Sequence, residues 1–260
     1  MDLALSGKIV VVTGGAKGIG EAIARAIAAE GAIPLIVDRD EEAGHLLQDE
    51  LIGASQRCEL VVGNLGEPGA CRTVVKKAVE VAGRIDALVN NAGVNDNVSL
   101  ETGSSEDFLF SLRRNLLHYF EMTQLTLPFL KDSKGAIVNI SSKVALTGQG
   151  GTSGYAASKG GILALTREWA IDLLKDGVRV NAVVPGDVMT PLYRQWLDTF
   201  PDPEEKLDTI VSNIPLGSRM TSAEEIAAMV VFLLSDRAGH ITGQHLVLDG
   251  GYVHLDRAIT

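Results

Sequence analysis

Two cysteines in 260 residues are too few for a disulfide framework, and neither Cys58 nor Cys71 lies in a CxxC or Cys/His ligand spacing. They read as reduced thiols of a cytoplasmic chain. The five histidines (His45, His118, His240, His245, His254) show no HxxxH or HxH spacing, so no metal centre is expected. Tryptophans are scarce as well. Trp169 and Trp196, with Phe200, read as core or lid packing rather than as stacking platforms. Basic residues are in deficit: 23 Lys and Arg against 33 Asp and Glu give a formal charge of −10, with no Lys/Arg cluster to offset it locally. Such a field repels phosphate backbones and excludes nucleic acid as a partner. The longest apolar run, 227–234, is far too short to cross a bilayer. The start, Met1-Asp2-Leu3, lacks the basic region and long apolar run of a signal peptide, which fits a cytoplasmic protein with no membrane partner.

Glycine is plentiful instead, with 28 residues, many at the ends of apolar runs where the chain must turn tightly. Those runs alternate with helical patterns from end to end. Strands are expected at 8–13, 33–38, 59–63, 86–90, 136–141, 178–184 and 245–248. Helices are expected at 18–30, 41–52, 68–82, 105–130 (broken near Pro128), 153–175 and 223–234. The strands are continuous apolar runs rather than alternating ones, as when helices cover both faces of a parallel sheet. The implied architecture is α/β, a doubly wound Rossmann-type parallel sheet, with 1–260 as one domain. Segment 190–219, with Pro191, Pro201, Pro203 and Pro215, breaks the rhythm after the sixth strand. Ligands of open α/β sheets bind beyond the carboxyl ends of the strands, so this segment is expected to act as a substrate lid.

After the first strand comes Thr13-Gly14-Gly15-Ala16-Lys17-Gly18-Ile19-Gly20. Gly14 permits the turn, Gly18 lets backbone approach a pyrophosphate, and Gly20 allows close helix packing. The following helix N-terminus offers unpaired N–H groups to phosphate oxygens. Asp38 ends the second strand 18 residues after Gly20, where a carboxylate accepts the ribose hydroxyls of NAD and repels the 2′-phosphate of NADP. Arg39 pulls the other way, since a guanidinium holds phosphate. NAD is the expected cofactor. Asn90-Asn91-Ala92-Gly93 closes the fourth strand with small residues that let a nicotinamide ribose approach.

Tyr155 and Lys159 are four apart on an expected helix and face the same side. A free tyrosine is a poor base at neutral pH. A neighbouring ammonium and the positive charge of an oxidised nicotinamide favour the phenolate, which then takes a proton from a substrate hydroxyl. Ser142 is placed to hold the same oxygen, and Asn115 to hold a water linking Lys159 to solvent. Gly160-Gly161 inside this helix costs roughly 1 kcal/mol each relative to alanine and points to a close helix contact.

The glycine loop, Asn90–Gly93, Asn115, Ser142, Tyr-x-x-x-Lys (155–159) and Pro185-Gly186-Asp187-Val188-Met189-Thr190 occur in this order and at these spacings. Together they resemble the short-chain dehydrogenase/reductase family over essentially the whole chain. The resemblance implies a seven-stranded Rossmann sheet, an Asn115-Ser142-Tyr155-Lys159 tetrad and a homotetramer. It extends the cofactor site to Lys17, Ile19, Leu65, Asn91, Ala92, Gly93, Pro185 and Val188. It also puts Lys159 on the nicotinamide ribose and Thr190 on the carboxamide. Asn64 departs from the aspartate that many members have near adenine, but an amide still bonds the adenine amino group.

The finer segments are Ala92-Gly93-Val94-Asn95-Asp96, Ser141-Ser142-Lys143, 147–150, 189–194 and the tail 249–257. They are similar to a subgroup of bacterial sugar dehydrogenases acting on L-fucose and related aldoses. Asn95, Asp96, Lys143 and Gln149 follow strand ends and would surround a polyhydroxylated substrate with directional hydrogen bonds. The implied reaction is oxidation at the anomeric carbon, giving a lactone. A reductase of 3-oxoacyl groups or other ketones is the alternative within the family. A non-catalytic dinucleotide-binding regulator is the alternative outside enzymes.

Overall fold

The computed structural model describes residues 2–255; Met1 of the start and Asp256 and Arg257 of the tail lie outside them. Seven parallel strands form one sheet: β1 (Ile9–Thr13), β2 (Ile33–Asp38), β3 (Glu59–Val62), β4 (Ala87–Asn90), β5 (Ala136–Ile140), β6 (Arg179–Pro185) and β7 (His245–Leu248). Their order is β3-β2-β1-β4-β5-β6-β7. The order reverses between β1 and β4, and that reversal opens the crevice where such sheets hold ligands.

Both faces are covered. Side chains alternate across the sheet, with Val11, Leu88, Ile137 and Val180 on one face. That face packs against α3 (Ala70–Ala82), α5 (His118–Ser133) and α7 (Ser153–Asp172) through Val74, Met122, Leu130 and Ile162. Val10, Val12, Val89, Val138 and Val183 point the other way, onto Ile23 and Ile27 of α1 (Gly18–Ala29) and Ile226 and Val230 of α10 (Ala223–Leu234). A third, smaller core joins α1 to α2 (Glu41–Gly53) through Ala24, Ile36, Leu47 and Leu51. Period-2 alternation thus feeds two layers of helix, which is why the strand sequences read as unbroken apolar runs.

Helix ends follow local chemistry. Ser104 and Asp107 close a capping box on α4 (Ser105–Leu112), and Ser222 and Glu225 close one on α10. Pro191 and Pro203 sit at the first positions of α8 (Pro191–Leu197) and α9 (Pro203–Ser212), where their missing N–H costs nothing. The segment after β6 is therefore two short helices. A one-turn helix absent from the sequence expectation, α6 (Val144–Thr147), follows β5.

The expected 105–130 helix is divided in a different place from the one its proline suggests. Pro128 lies inside α5, which continues to Ser133. Pro128 and Gln124 are on the exposed face, so the carbonyl of Gln124, deprived of its partner, is open to water. The interruption is a π-helical turn, Arg113–Leu117, centred on Asn115. The second helix of note ends earlier than its pattern suggests: α7 stops at Asp172 and gives way to a 3-10 turn, Leu174–Asp176, before Gly177 at φ +71°. Gly161 within α7 approaches Leu116, where an added Cβ would sit 3.1 Å from Cδ2; Gly160 faces open space.

Candidate active site

The carboxyl ends of β1, β4, β5 and β6 open into one cleft of about 1540 Å³. Its first wall is the turn after β1. Gly14 and Gly18 take φ of +62° and +57°, which side chains rarely adopt. A Cβ at Gly20 would lie 1.9 Å from the Gly14 carbonyl, so α1 can start against the end of β1 only with glycine there. A Cβ at Gly18 would crowd Thr190 Cγ2 at 3.1 Å across the cleft. α1 has no side-chain cap, which leaves its first-turn N–H groups to the cleft.

This turn is latched to β4. Asn91 Nδ2 donates to the carbonyls of Thr13 and Gly14, both at 3.0 Å, and Thr13 Oγ1 accepts from the N–H groups of Asn91 (2.9 Å) and Ala92 (3.1 Å). Asn91 therefore spends its side chain on holding the turn's shape. Asp38 is fixed at the end of β2, its two oxygens accepting from Ala16 N and Asp40 N at 3.0 Å each. Each oxygen keeps a lone pair for another donor. Arg39 is exposed on the same wall, and Lys17 is paired with Asp40. Asn64, Leu65, Ala92, Gly93, Pro185, Val188, Thr190 and Ile19 complete this half of the cleft. Asn64 folds back on its own loop, accepting from Gly66 N (3.2 Å) and donating to Glu67 (3.2 Å). Thr190 Oγ1 accepts from Tyr193 N at 3.1 Å, capping α8. A long crevice with a glycine-lined floor, an open helix N-terminus and a strand-end carboxylate fits a dinucleotide.

Ser142, Tyr155 and Lys159 meet beyond the ends of β5 and β4. Lys159 Nζ lies 5.6 Å from the centre of the Tyr155 ring and donates to the Ile140 carbonyl at 2.8 Å and to Tyr119 Oη at 3.2 Å. Burial pushes the Tyr155 phenol up to about 12, opposed by the Ser142 side chain beside it, with the Asp96 charge adding to the rise. Burial also pulls the Lys159 ammonium down to about 7. The protein groups alone thus hold Tyr155 protonated, and the sequence expectation that Lys159 would lower it is outweighed by desolvation. Asn115 is fully buried and does not line the cleft. Its Oδ1 accepts from Val94 N at 2.7 Å and its Nδ2 donates to the Ser111 carbonyl at 3.1 Å, so its side chain braces the loop after β4.

The remaining half of the cleft mixes polar side chains with apolar and aromatic ones. Asn95 and Gln149 line it. Lys143 does too, but it is paired with Asp187, both about nine-tenths buried, and its ammonium sits 4.0 Å from the centre of the Tyr252 ring. Asp187 also accepts from Tyr193 Oη of α8 at 3.1 Å. Trp196 packs edge-on against Tyr193 and Phe200 along the same wall. Asp96 is turned away, its Oδ1 taken by Ser111 Oγ at 2.7 Å while Oδ2 is buried without a partner. Asp187, Tyr193, Tyr252 and Tyr119 were not singled out from the sequence. Asp187 stood inside the motif after β6, but nothing local announces that it pairs with a lysine 44 residues away. Burial pushes both thiols, Cys58 and Cys71, up to about 12, away from reactivity. Among the described residues no cluster could hold a metal ion, and no helix is long and apolar enough to cross a membrane.

A parallel seven-stranded sheet with this cleft defines a Rossmann-type oxidoreductase, and comparison with known proteins gives the family. Residues 14–253 match the family model described as enoyl-(acyl carrier protein) reductase. The chain is 38% identical to 3-oxoacyl-[acyl-carrier-protein] reductase FabG of Thermotoga maritima over 250 residues, covering 96% of this chain and 99% of that one. It is 39% identical to L-fucose dehydrogenase of Rattus norvegicus over 247 residues, 95% of this chain and 89% of the relative. The crystal structure of Cj0485 dehydrogenase superposes with a TM-score of 0.94 at 48% identity, covering 100% and 99% of the two chains. L-sorbose reductase from Gluconobacter frateurii, solved with NADPH and L-sorbose, superposes at 0.93 with 28% identity, covering 98% and 100%. The chain belongs to the short-chain dehydrogenase/reductase family, whose oxidoreductases act on small molecules.

Proposed function

We propose that this protein oxidises the anomeric carbon of an aldose such as L-fucose with NAD, giving the lactone. The observation that carries the reading is the shared cleft. Ser142, Tyr155 and Lys159 stand where the glycine-lined crevice meets a pocket that combines Asn95, Lys143, Gln149 and Asp187 with the apolar faces of Leu192, Tyr193 and Trp196. The nicotinamide, when bound, supplies the hydride acceptor and a positive charge. Tyr155 takes the proton of the C1 hydroxyl, Ser142 holds that oxygen in register, and Lys159 stabilises the phenolate. Asn115 shapes the loop that carries Gly93 and Val94. Lys17, Gly14, Gly18 and Ile19 receive the pyrophosphate, and Asp38 takes the ribose hydroxyls, which favours NAD over NADP. Pro185, Val188 and Thr190 flank the carboxamide, while Asn64 and Leu65 flank the adenine.

Three features support a sugar. The Lys143–Asp187 pair offers charge-assisted hydrogen bonds to hydroxyls, Asn95 and Gln149 add neutral ones, and Trp196 with Tyr193 offers apolar ring faces. The α8–α9 segment serves as the lid over this pocket. Similarity to the Thermotoga reductase favours a second reading, reduction of 3-oxoacyl groups, but a buried ion pair in the pocket suits an acyl chain poorly. A homotetramer working in the cytoplasm completes the proposal. Exposed Leu109 (64%), Phe110 (54%) and Phe120 (44%) along α4 and α5 support an assembly. Purified protein with NAD and a panel of aldoses, followed by absorbance of the reduced cofactor, tests the reading. Reduction with L-fucose or a stereochemical relative is expected. Silence toward every sugar, with NADH consumed by ketones or acyl substrates, would replace it by the second.

A further inference from the structure

Tyr119 is a second tyrosine beside the proposed catalytic lysine, completely buried and not part of the chemistry described above. It reaches across from α5. Its hydroxyl donates to the Ile140 carbonyl at 3.0 Å, so its lone pairs are free to accept. One of them accepts from Lys159 Nζ at 3.2 Å, and the same ammonium donates to the Ile140 carbonyl at 2.8 Å. Lysine, Tyr119 hydroxyl and Ile140 carbonyl thus form a closed three-membered ring of hydrogen bonds at the end of β5.

An ammonium has three donors. Two are spent on this ring, which leaves one, and the cleft lies on the open side. A Cβ built on Gly93 would stand 3.5 Å from Nζ, an ordinary contact, which puts the ammonium directly beside the Gly93 backbone at the cleft wall. We infer that Tyr119 is a positioning residue: it fixes the Lys159 ammonium so that its one remaining donor is aimed past Gly93 at the reacting groups. The inference rests on the role proposed for Lys159.

Other groups around Lys159 do not supply this hold. Tyr155, on the same helix, has its ring centre 5.6 Å from Nζ, and two donors of the ammonium go to Tyr119 and Ile140 instead. His118, on α5, is buried against the Arg114 carbonyl (2.9 Å) with Nδ1 unpartnered, and burial keeps its pKa near 4, so it is neutral. Asp96, on the loop after β4, is bonded to Ser111. Tyr119 itself is held far above neutral by burial, so it acts as a dipole and never as a charge.

Tyr119→Phe keeps the ring and its packing and removes only the hydroxyl. The Lys159 amine, followed by NMR in protein carrying 13C-labelled lysine and assigned with Lys159→Met, is expected to titrate about one unit lower in the variant, since an ammonium loses an acceptor. With L-fucose and NAD, kcat falls about tenfold, KM stays within about twofold, and the acid limb of the kcat profile moves up as Tyr155 loses its neighbour's charge. Purely structural packing would lower the melting temperature and leave the titration alone. An unshifted Lys159 titration overturns the inference, whatever happens to turnover. A wild-type protein silent toward every aldose of the panel would instead sink the substrate reading, while the titration still decides the role of Tyr119.

Discussion

Single atoms decide most of the proposed chemistry. Removing the Tyr155 hydroxyl with Tyr155→Phe is expected to lower kcat by about 10² to 10⁴ while NADH still binds, measured by steady-state kinetics beside fluorescence titration of the cofactor. Retained turnover would remove Tyr155 as the base. Lys159 carries a second signature that needs no substrate. Its folded pKa, about 7, lies below its ordinary value, so the unfolded chain binds more protons between about pH 7 and 10. Stability from this group is therefore least below pH 7 and grows as pH rises through that window. Urea unfolding at pH 7, 8 and 9 is expected to show a smaller pH dependence in Lys159→Met than in the wild type. Equal slopes would mean that the lysine is not desolvated in solution. Glycines 14, 18 and 20 and the Tyr155–Lys159 spacing were legible in the sequence because each works over one turn of chain. The partners of those residues were not: Tyr119 is 40 residues from Lys159, and Lys143 is 44 from Asp187. Only the strand order brings such pairs together, and spacing cannot show it.

Between elements, a chain of buried amides and hydroxyls ties the sheet to its helices. Asn90 on β4 donates to Thr123 on α5 (3.1 Å) and to Asn139 on β5 (2.9 Å), and Asn139 donates to Thr166 on α7 (3.0 Å). The two helices that carry Asn115's neighbours and the Tyr155–Lys159 pair are thereby registered against the strands between them. Asn139→Ala leaves buried partners unsatisfied and is expected to cost about 1–3 kcal/mol, read as a lowered urea midpoint with an unchanged slope. The lid helices make a different prediction. Trp196→Ala takes away a pocket wall without touching the reacting groups, so KM for the sugar should rise several-fold with kcat nearly constant. A collapse of kcat instead would place Trp196 in the chemistry. Helix and strand positions could be read from periodicity because burial on two faces imprints a period. The π-helical turn could not: one residue too many inside a helix leaves the apolar pattern almost intact, whereas Pro128 advertises a break that an exposed face absorbs.

At the scale of the molecule, cofactor choice and assembly each turn on a few side chains. Asp38 and Arg39 stand side by side at the mouth of the cleft with opposite preferences. Asp38→Ala is expected to narrow the ratio of kcat/KM for NAD over NADP by tenfold or more, and an unchanged ratio would take Asp38 out of the selection. Sedimentation should report a species larger than the monomer, and Phe110→Glu with Phe120→Glu should shift it toward the monomer. The helical stretch containing α4 and α5 joins these two scales. One side of it buries Asn115, His118 and Tyr119 next to the active site, and the other exposes Phe110, Leu117 and Phe120. The π-helical turn between them sets the rotation of one side relative to the other. The turn holds one residue more than the α-helical path needs, so deleting Leu116 would let it close to ordinary α-helix, keeping the flanking faces near their present alignment while removing the widened turn that carries Asn115. Along most surface helices a lost residue is absorbed by the nearest loop. Here the slack lies in the middle of the stretch instead, so a change in length by one residue would be felt first at the loop that Asn115 braces.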